Sequence, residues 1–152
     1  MARFGEVLVA MVTPFDDDLA LDVEAAVALA RWLVDQGADG LVLAGTTGEA
    51  PTLSDTEKVA LWRAVREAVT VPIVAGSGSY DTRHTVELSK AAADAGADGL
   101  LVVTPYYNRP SQAGIEAHFR AVGEATGMSS VRSMRPASSM RLRARPRVSA
   151  DP

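Results

Sequence analysis

Two short stretches hold the residue types from which chemistry on a small acid is built. The first is Gly45-Thr46-Thr47-Gly48-Glu49, set between the apolar run Leu41 to Ala44 and a polar segment opening at Ser54. Its glycines let backbone come close to a small ligand. Its two adjacent hydroxyls and successive main-chain N–H groups suit an anion such as a carboxylate. The same residues have a plainer use, since threonines in a tight loop often hydrogen-bond only to their own turn. Residue type alone leaves these readings level. The second stretch is Tyr106-Tyr107, which follows the apolar run Gly99 to Thr104 and Pro105. A phenol beside a hydroxyl can pass a proton, whereas two tyrosines after a strand also serve as rim or interface packing.

Other polar groups carry less. Asp16, Asp17 and Asp18 form an acidic run that reads as a polar turn ahead of a helix rather than a cation site, and no metal is expected. His84 and His118 fall on expected helices without a spaced partner, so neither reads as a ligand or a base. Glu49 is expected to order its loop or the helix that follows, not to catalyse. The absence of cysteine excludes a thiolate nucleophile, a disulfide and a Cys-based metal site. The only lysines are Lys58 and Lys90, both within expected helices.

The elements that must position these loops alternate. Val7 to Thr13 is the first expected strand, stopped by Pro14. Asp22 then caps a helix with Ala26, Leu29, Ala30 and Leu33 on one stripe, closed by Gly37. Gly40 to Ala44 is the second strand. Ser54 and Glu57 have the spacing of a capping box, and Leu61, Trp62, Val65 and Val69 make the buried face of the helix behind them. The third strand is Val71 to Ala75, and a helix starting near Asp81 or Thr82 runs to Gly96. The fourth strand is Gly99 to Thr104, and a helix from near Ser111 carries Ile115, Phe119 and Val122 and stops at Gly127. Short Val/Leu/Ile runs alternating with amphipathic helices predict an α/β fold with a parallel sheet buried on both faces. Asp35 to Leu43 is echoed by Asp94 to Val102, two units later. Recurrence of one βα unit favours a barrel over an open sheet.

Composition agrees with a globular α/β chain: 152 residues, 47% hydrophobic and 22% charged. No run approaches the roughly 20 apolar residues of a membrane helix, and no cleavage pattern marks the N-terminus. The expectation is therefore a cytoplasmic protein with no membrane partner. The net charge of −4 is divided: residues 1–127 carry −9, and residues 128–152 carry +5 from six arginines and one aspartate. The segment 128–152 is rich in Arg, Ser, Ala and Pro, has neither period, and is expected to be disordered or the product of a shifted reading frame. Two regions follow, 1–127 and 128–152.

With Gly45-Thr46-Thr47-Gly48-Glu49 and the run Val103 to Ser111 in hand, residues from about Val7 to Gly127 closely resemble the dihydrodipicolinate synthase family, also called 4-hydroxy-tetrahydrodipicolinate synthase. Ala10 to Phe15 and Val74 to Gly78 also look like family segments. The resemblance implies the first four βα units of a (β/α)8 TIM barrel, cut short and followed by a basic tail. It implies a lyase of lysine and diaminopimelate biosynthesis that condenses pyruvate with aspartate semialdehyde through a lysine Schiff base, with no added cofactor. It assigns Thr47 to pyruvate binding, Thr46 to a proton relay, and Tyr107 to the same relay across a tight dimer, with Tyr106 packing at that interface. The intact family assembles as a dimer of dimers. Where lysine-inhibited members carry histidines and a glutamate, the corresponding positions here hold Asp55, Lys58 and His84, with Tyr80 nearby, which argues against lysine feedback.

The family's Schiff-base lysine belongs to a later strand that has no counterpart here, and Lys58 and Lys90 are not its substitutes. The chain alone is therefore expected to be inactive. It is also expected to leave two apolar edges open, at strand one and strand four, and to be poorly soluble, partly folded or self-associated. The resemblance extends more weakly to N-acetylneuraminate lyase and other pyruvate aldolases, against which Thr46-Thr47 and the Thr104 to Tyr107 run argue. A third reading is a non-catalytic interaction module whose arginine tail contacts nucleic acid. With no aromatic residue among the arginines for base stacking, nucleic acid is not an expected partner.

Overall fold

The computed structural model describes residues 4–128 and, by their backbone, residues 130–133. Four helices alternate with parallel strands: β1 (Leu8–Ala10), α1 (Val23–Asp35), β2 (Gly40–Leu43), α2 (Asp55–Ala68), β3 (Ile73–Gly76), α3 (Thr82–Asp94), β4 (Gly99–Val103) and α4 (Gln112–Thr126), followed by β5 (Ser130–Ser133). The sheet order is β1-β2-β3-β4-β5, each strand parallel to the next. A strand order that never reverses has no switch point of the doubly wound kind, and its helices all cover one side, as in the opening units of a β/α barrel.

Local chemistry starts each helix where expected. Asp22, Asp81 and Ser111 accept from the N–H three residues on. Ser54 and Glu57 form the full capping box, and Ser54 holds the Glu57 carboxyl below its ordinary value. The core lies between helices and sheet: Leu61, Trp62, Val65 and Val69 are buried, as are Ala26, Ala30, Phe119 and Val122. Leu29, Leu33 and Ile115 pack against that core from partly exposed positions.

The sequence echo has a physical basis. In both copies the helix ends in a Schellman-type turn, with Ala38 N donating to Leu33 O and Ala97 N to Ala92 O. The aspartate that follows reaches back to the strand next door. Asp39 Oδ2 accepts from Glu6 N and Val7 N at 2.8 and 2.9 Å, and Asp98 Oδ2 accepts from Ile73 N at 2.9 Å. Each carboxylate therefore sets the start of one strand against the next, which fixes register at the amino end of the sheet.

Three expectations need correction. β1 is shorter than Val7 to Thr13, with Val7 and Val12 each 53% exposed; it is an edge strand, buried on neither face as a central strand is. β3 starts at Ile73 rather than Val71, because Pro72 has no N–H to donate and serves only through its carbonyl, which accepts from Leu41 N. β4 is not an open edge. β5 pairs with it from Leu100↔Ser130 to Val103↔Ser133, inside the stretch expected to lack structure. The ladder is made of backbone groups, so the open row of β4 accepts an extended segment whose composition carries no strand signal. The remainder of the arginine-rich segment, 134–152, lies outside the described residues.

Candidate functional site at the carboxyl ends of the strands

The segment after β2 is a tight loop leading into a short 3₁₀ turn, Ala50–Thr52. It is built with Glu49 N donating to Thr46 O, Ala50 N to Gly45 O and Thr52 N to Glu49 O. Its anchor is Thr13, beyond β1, whose buried Oγ1 donates to Gly48 O at 2.7 Å. Gly45 and Gly48 are buried, and a Cβ on Gly48 would stand 3.0 Å from Met11 O and Thr13 Oγ1. Gly48 thus brings the loop onto the end of β1, while Gly45 lines the small cleft at the strand ends. The backbone strain falls beside them, on Ala44 (φ 51°) and Glu49 (φ 52°), each in a left-handed conformation that costs of order 1–3 kcal/mol.

That packing leaves Thr46 and Thr47 exposed. Among the described residues their hydroxyls make no hydrogen bond, whereas the turn is closed by main-chain groups. The plainer reading, in which both threonines are spent on their own turn, does not describe this loop. Thr46 borders a small cleft of about 60 Å³, together with Ala44, Gly45, Gly76, Gly78 and Val103. Such a volume holds about two waters or one carboxylate-sized group. Among the described residues no charged side chain lines it, and the polar groups they offer it are the Thr46 hydroxyl and the backbone.

Two residues that sequence reasoning passed over make the cleft possible. A Cβ on Gly76 would lie 2.0 Å from Ala44 O, and one on Gly78 would lie 2.4 Å from Val103 N. The end of β3 is thus pressed against the ends of β2 and β4. The Val74 to Gly78 motif carried the signal, but only the pairing of strands gives its glycines a reason.

The second loop follows β4. Asn108 N donates to Tyr106 O at 2.8 Å across Tyr107, whose φ is 69°. That is a γ-turn of the strained, positive-φ kind. Tyr107 is 94% exposed and does not border the cleft. Tyr106 packs edge-on against Tyr80, with ring centroids 5.6 Å apart, and Asn108 Nδ2 reaches Tyr80 O at 3.4 Å. The loops after β3 and β4 are therefore joined by Tyr80, Tyr106 and Asn108. Asp16 is spent on its own turn, with Oδ1 accepting from Asp18 N and Ala20 N.

Away from the cleft, Asp55 on α2 meets His84 Nε2 of α3 at 2.6 Å and Lys58 Nζ at 4.0 Å. Burial pushes the Lys58 ammonium below its ordinary value, against the pull of Asp55. A lysine made less basic by burial has the character of an amine nucleophile. Lys58 nevertheless stands on a helix, outside the cleft lining, and Lys90 is exposed on α3.

The fold and the position of these loops define the class first: an amino-terminal portion of a β/α barrel, with its polar loops gathered at the carboxyl ends of the strands. The family model for the dihydrodipicolinate synthetase family matches residues 3–140, and the chain belongs to that family. The matched range takes in residues 128–140 of the basic segment. The chain is 60% identical over 129 residues to 4-hydroxy-tetrahydrodipicolinate synthase of Acidothermus cellulolyticus, covering 84% of this chain and 42% of that protein. Among solved structures, dihydrodipicolinate synthase of Bacillus anthracis is 44% identical with a TM-score of 0.82, over 85% of this chain and 45% of that one. The chloride-inhibited dihydrodipicolinate synthase of Acinetobacter baumannii, complexed with pyruvate, is 40% identical with a TM-score of 0.82, again over 85% and 45%. The chain thus spans less than half the length of the relatives it matches.

Proposed function

We propose that this chain supplies the pyruvate-carboxylate half of a 4-hydroxy-tetrahydrodipicolinate synthase active site. In the whole enzyme, pyruvate held as an imine on a lysine condenses with aspartate semialdehyde, in the cytoplasm, as a step of lysine and diaminopimelate biosynthesis. Thr47 binds the pyruvate carboxylate. Thr46 and Tyr107 relay the protons that imine formation and breakdown move, with Tyr107 reaching the site of a second subunit and Tyr106 packing at that contact. The observation that carries the reading is the Thr46 hydroxyl at the border of a carboxylate-sized cleft, on a loop anchored by Thr13 whose next residue, Thr47, is exposed with a hydroxyl that makes no hydrogen bond among the described residues. The pyruvate complex of the A. baumannii relative supports the choice of acid, and the 60% identity to the A. cellulolyticus enzyme supports the choice of reaction over the aldolase and interaction-module readings.

The reading places the first half of a TIM barrel in residues 1–127, with β5 (Ser130–Ser133) adding a fifth strand to the same sheet, so the basic segment 128–152 is not wholly separate from it. The imine-forming lysine comes from chain beyond these four units, so these 152 residues do not turn over alone. Regulation by free lysine is not part of the proposal, because the positions that hold histidines and a glutamate in lysine-inhibited members hold Asp55, Lys58 and His84 here, with Asp55 already engaged by His84 at 2.6 Å. The test is titration of pyruvate into the ¹⁵N-labelled chain, followed by borohydride reduction. The amides of Gly45 to Gly48 shift, Thr47→Val abolishes the shift, and no covalent adduct forms. Adduct on Lys58 or Lys90, or pyruvate shifts confined to other loops, defeats the reading.

A further inference from the structure

The polar contacts between α2 and α3 have no part in that reading, yet they lie where the two candidate loops are rooted. Asp55 is the first residue of α2, at the end of the segment that carries Thr46 and Thr47. His84 stands in the first turn of α3. Its Nε2 is 2.6 Å from Asp55 Oδ2, and its Nδ1 is 3.3 Å from Ser79 Oγ. A carboxylate only accepts, so Nε2 carries the proton and the Ser79 hydroxyl donates to Nδ1. The same hydroxyl oxygen accepts from Asp81 N at 3.5 Å. Acid, imidazole and serine thus stand in the order of a nucleophilic triad, but Ser79 is only 7% exposed, which removes that use.

What the row does is mechanical. Ser79 N donates to Thr85 Oγ1 at 3.0 Å, and Ser79 O accepts from the same hydroxyl at 3.3 Å, so this segment is fastened to α3. Tyr80, next in the chain, packs on Tyr106, and its carbonyl accepts from Asn108 Nδ2. The tyrosine loop is therefore hung on the start of α3. Further along, α2 and α3 part around a groove of about 470 Å³ lined by Val59, Ala60, Leu88 and Ala91. Asp55 stands at one end of that groove, and its contact with His84 holds the two helix starts together.

We propose that His84 is a positioning residue: gripping Asp55 on one side and Ser79 on the other, it sets the Tyr106-Tyr107 loop at a fixed place relative to the Thr46-Thr47 loop. The catalytic meaning of the two loops rests on the reading above; the clamp does not. In that reading Tyr107 serves a second subunit's site, while Thr46 is served in return. The spacing of the two loops on one chain then decides whether both sites of a pair form together.

The test reads geometry rather than turnover, so its failure is separate from any failure of the catalytic reading. The side chains of His84 and Asp55 are 41% and 51% exposed, so replacing them opens no core. Loss of a charge-assisted hydrogen bond at a half-exposed position speeds local opening roughly three- to thirtyfold. In amide exchange on the 152-residue chain, Asp55→Ala, His84→Ala and the two together each speed exchange at residues 79–81 and 104–109 by that factor. The pair does no more than either alone, and α1 is unchanged. The exchanged pair, Asp55→His with His84→Asp, puts acid and imidazole back in contact, slows exchange again and restores the Tyr80–Tyr106 ring contact. Unchanged exchange at residues 104–109 in either single variant, effects that add in the double variant, or an exchanged pair as loose as the single variants overturns the proposal.

Discussion

Gly76→Ala is the substitution on which the geometry bears most directly. The new Cβ would lie 2.0 Å from Ala44 O, 2.6 Å from Ala44 C and 3.0 Å from Gly45 N. Non-bonded heavy atoms are comfortable at about 3.5 Å or more, so β3 and the turn after β2 must part by more than an ångström. All three obstacles are backbone, so no side-chain rotation relieves them. The register Leu43↔Ala75 sits immediately beside the clash, which means the ladder at the carboxyl end of the sheet must open. Overpacking costs about 1–3 kcal/mol where side chains can adjust; here the upper end, about 3 kcal/mol, is the minimum expected. For a chain of this size that lowers Tm by roughly 6–12 °C, and against a total stability of about 5–15 kcal/mol it can abolish a cooperative transition. The control is Gly123→Ala, on α4, where an added Cβ meets nothing within 4 Å and helix propensity stabilises by about 0.5–1 kcal/mol. Far-UV circular dichroism melts read both, and amide exchange at Gly45 to Gly48 localises the damage. A Gly76→Ala chain that melts within roughly 2 °C of the parent, with those amides undisturbed, would refute the close-approach argument.

Thr13→Val removes the hydroxyl beneath Gly48 O. It leaves a buried carbonyl unsatisfied, a loss of about 1–3 kcal/mol, and urea melts together with faster exchange confined to residues 45–49 check it. Acid is expected to destabilise the chain in two stages. His118, whose pKa is held by burial below its ordinary 6.5, is protonated first in the unfolded chain, so stability begins to fall as pH drops below about 6.5. Glu57, held low by Ser54, and Asp39, held low by the Val7 and Glu6 amides, contribute stability that is present above their ordinary values and lost as pH falls through the lowered ones. Melts from pH 8 to pH 3 show both stages, and His118→Gln removes the first alone. Finally, Leu8, Val7 and Val12 on the β1 edge and Trp32 on α1 are exposed, so light scattering should find the chain self-associated. Leu8→Lys combined with Trp32→Arg should lower the apparent mass; a monodisperse monomer from the parent chain counts against an active edge.

Much of this architecture is legible one segment at a time. Caps at Asp22, Ser54, Asp81 and Ser111, the apolar stripe of α2 and the alternation of strands with helices depend on neighbours within a turn or two, and that information is local. The repeat around Asp39 and Asp98 announces a recurring βα unit, though not that each aspartate grips the start of an adjacent strand. The polar loops Gly45 to Glu49 and Tyr106-Tyr107 are marked by composition, and their resemblance to one family names the chemistry to look for.

What the amino-acid order determined by itself is therefore the succession of elements, their caps, the core-facing residues and the kind of loop that ends each strand. The tertiary structure alone decided which distant groups meet. Thr13 reaches Gly48 across 35 residues and His118 reaches Thr82 across 36. Gly76 and Gly78 are required because neighbouring strand ends crowd them. The segment 130–133 is a strand because β4 offers it a row of backbone partners. Each of these follows from the register of parallel strands, a relation between segments that no single segment's pattern contains.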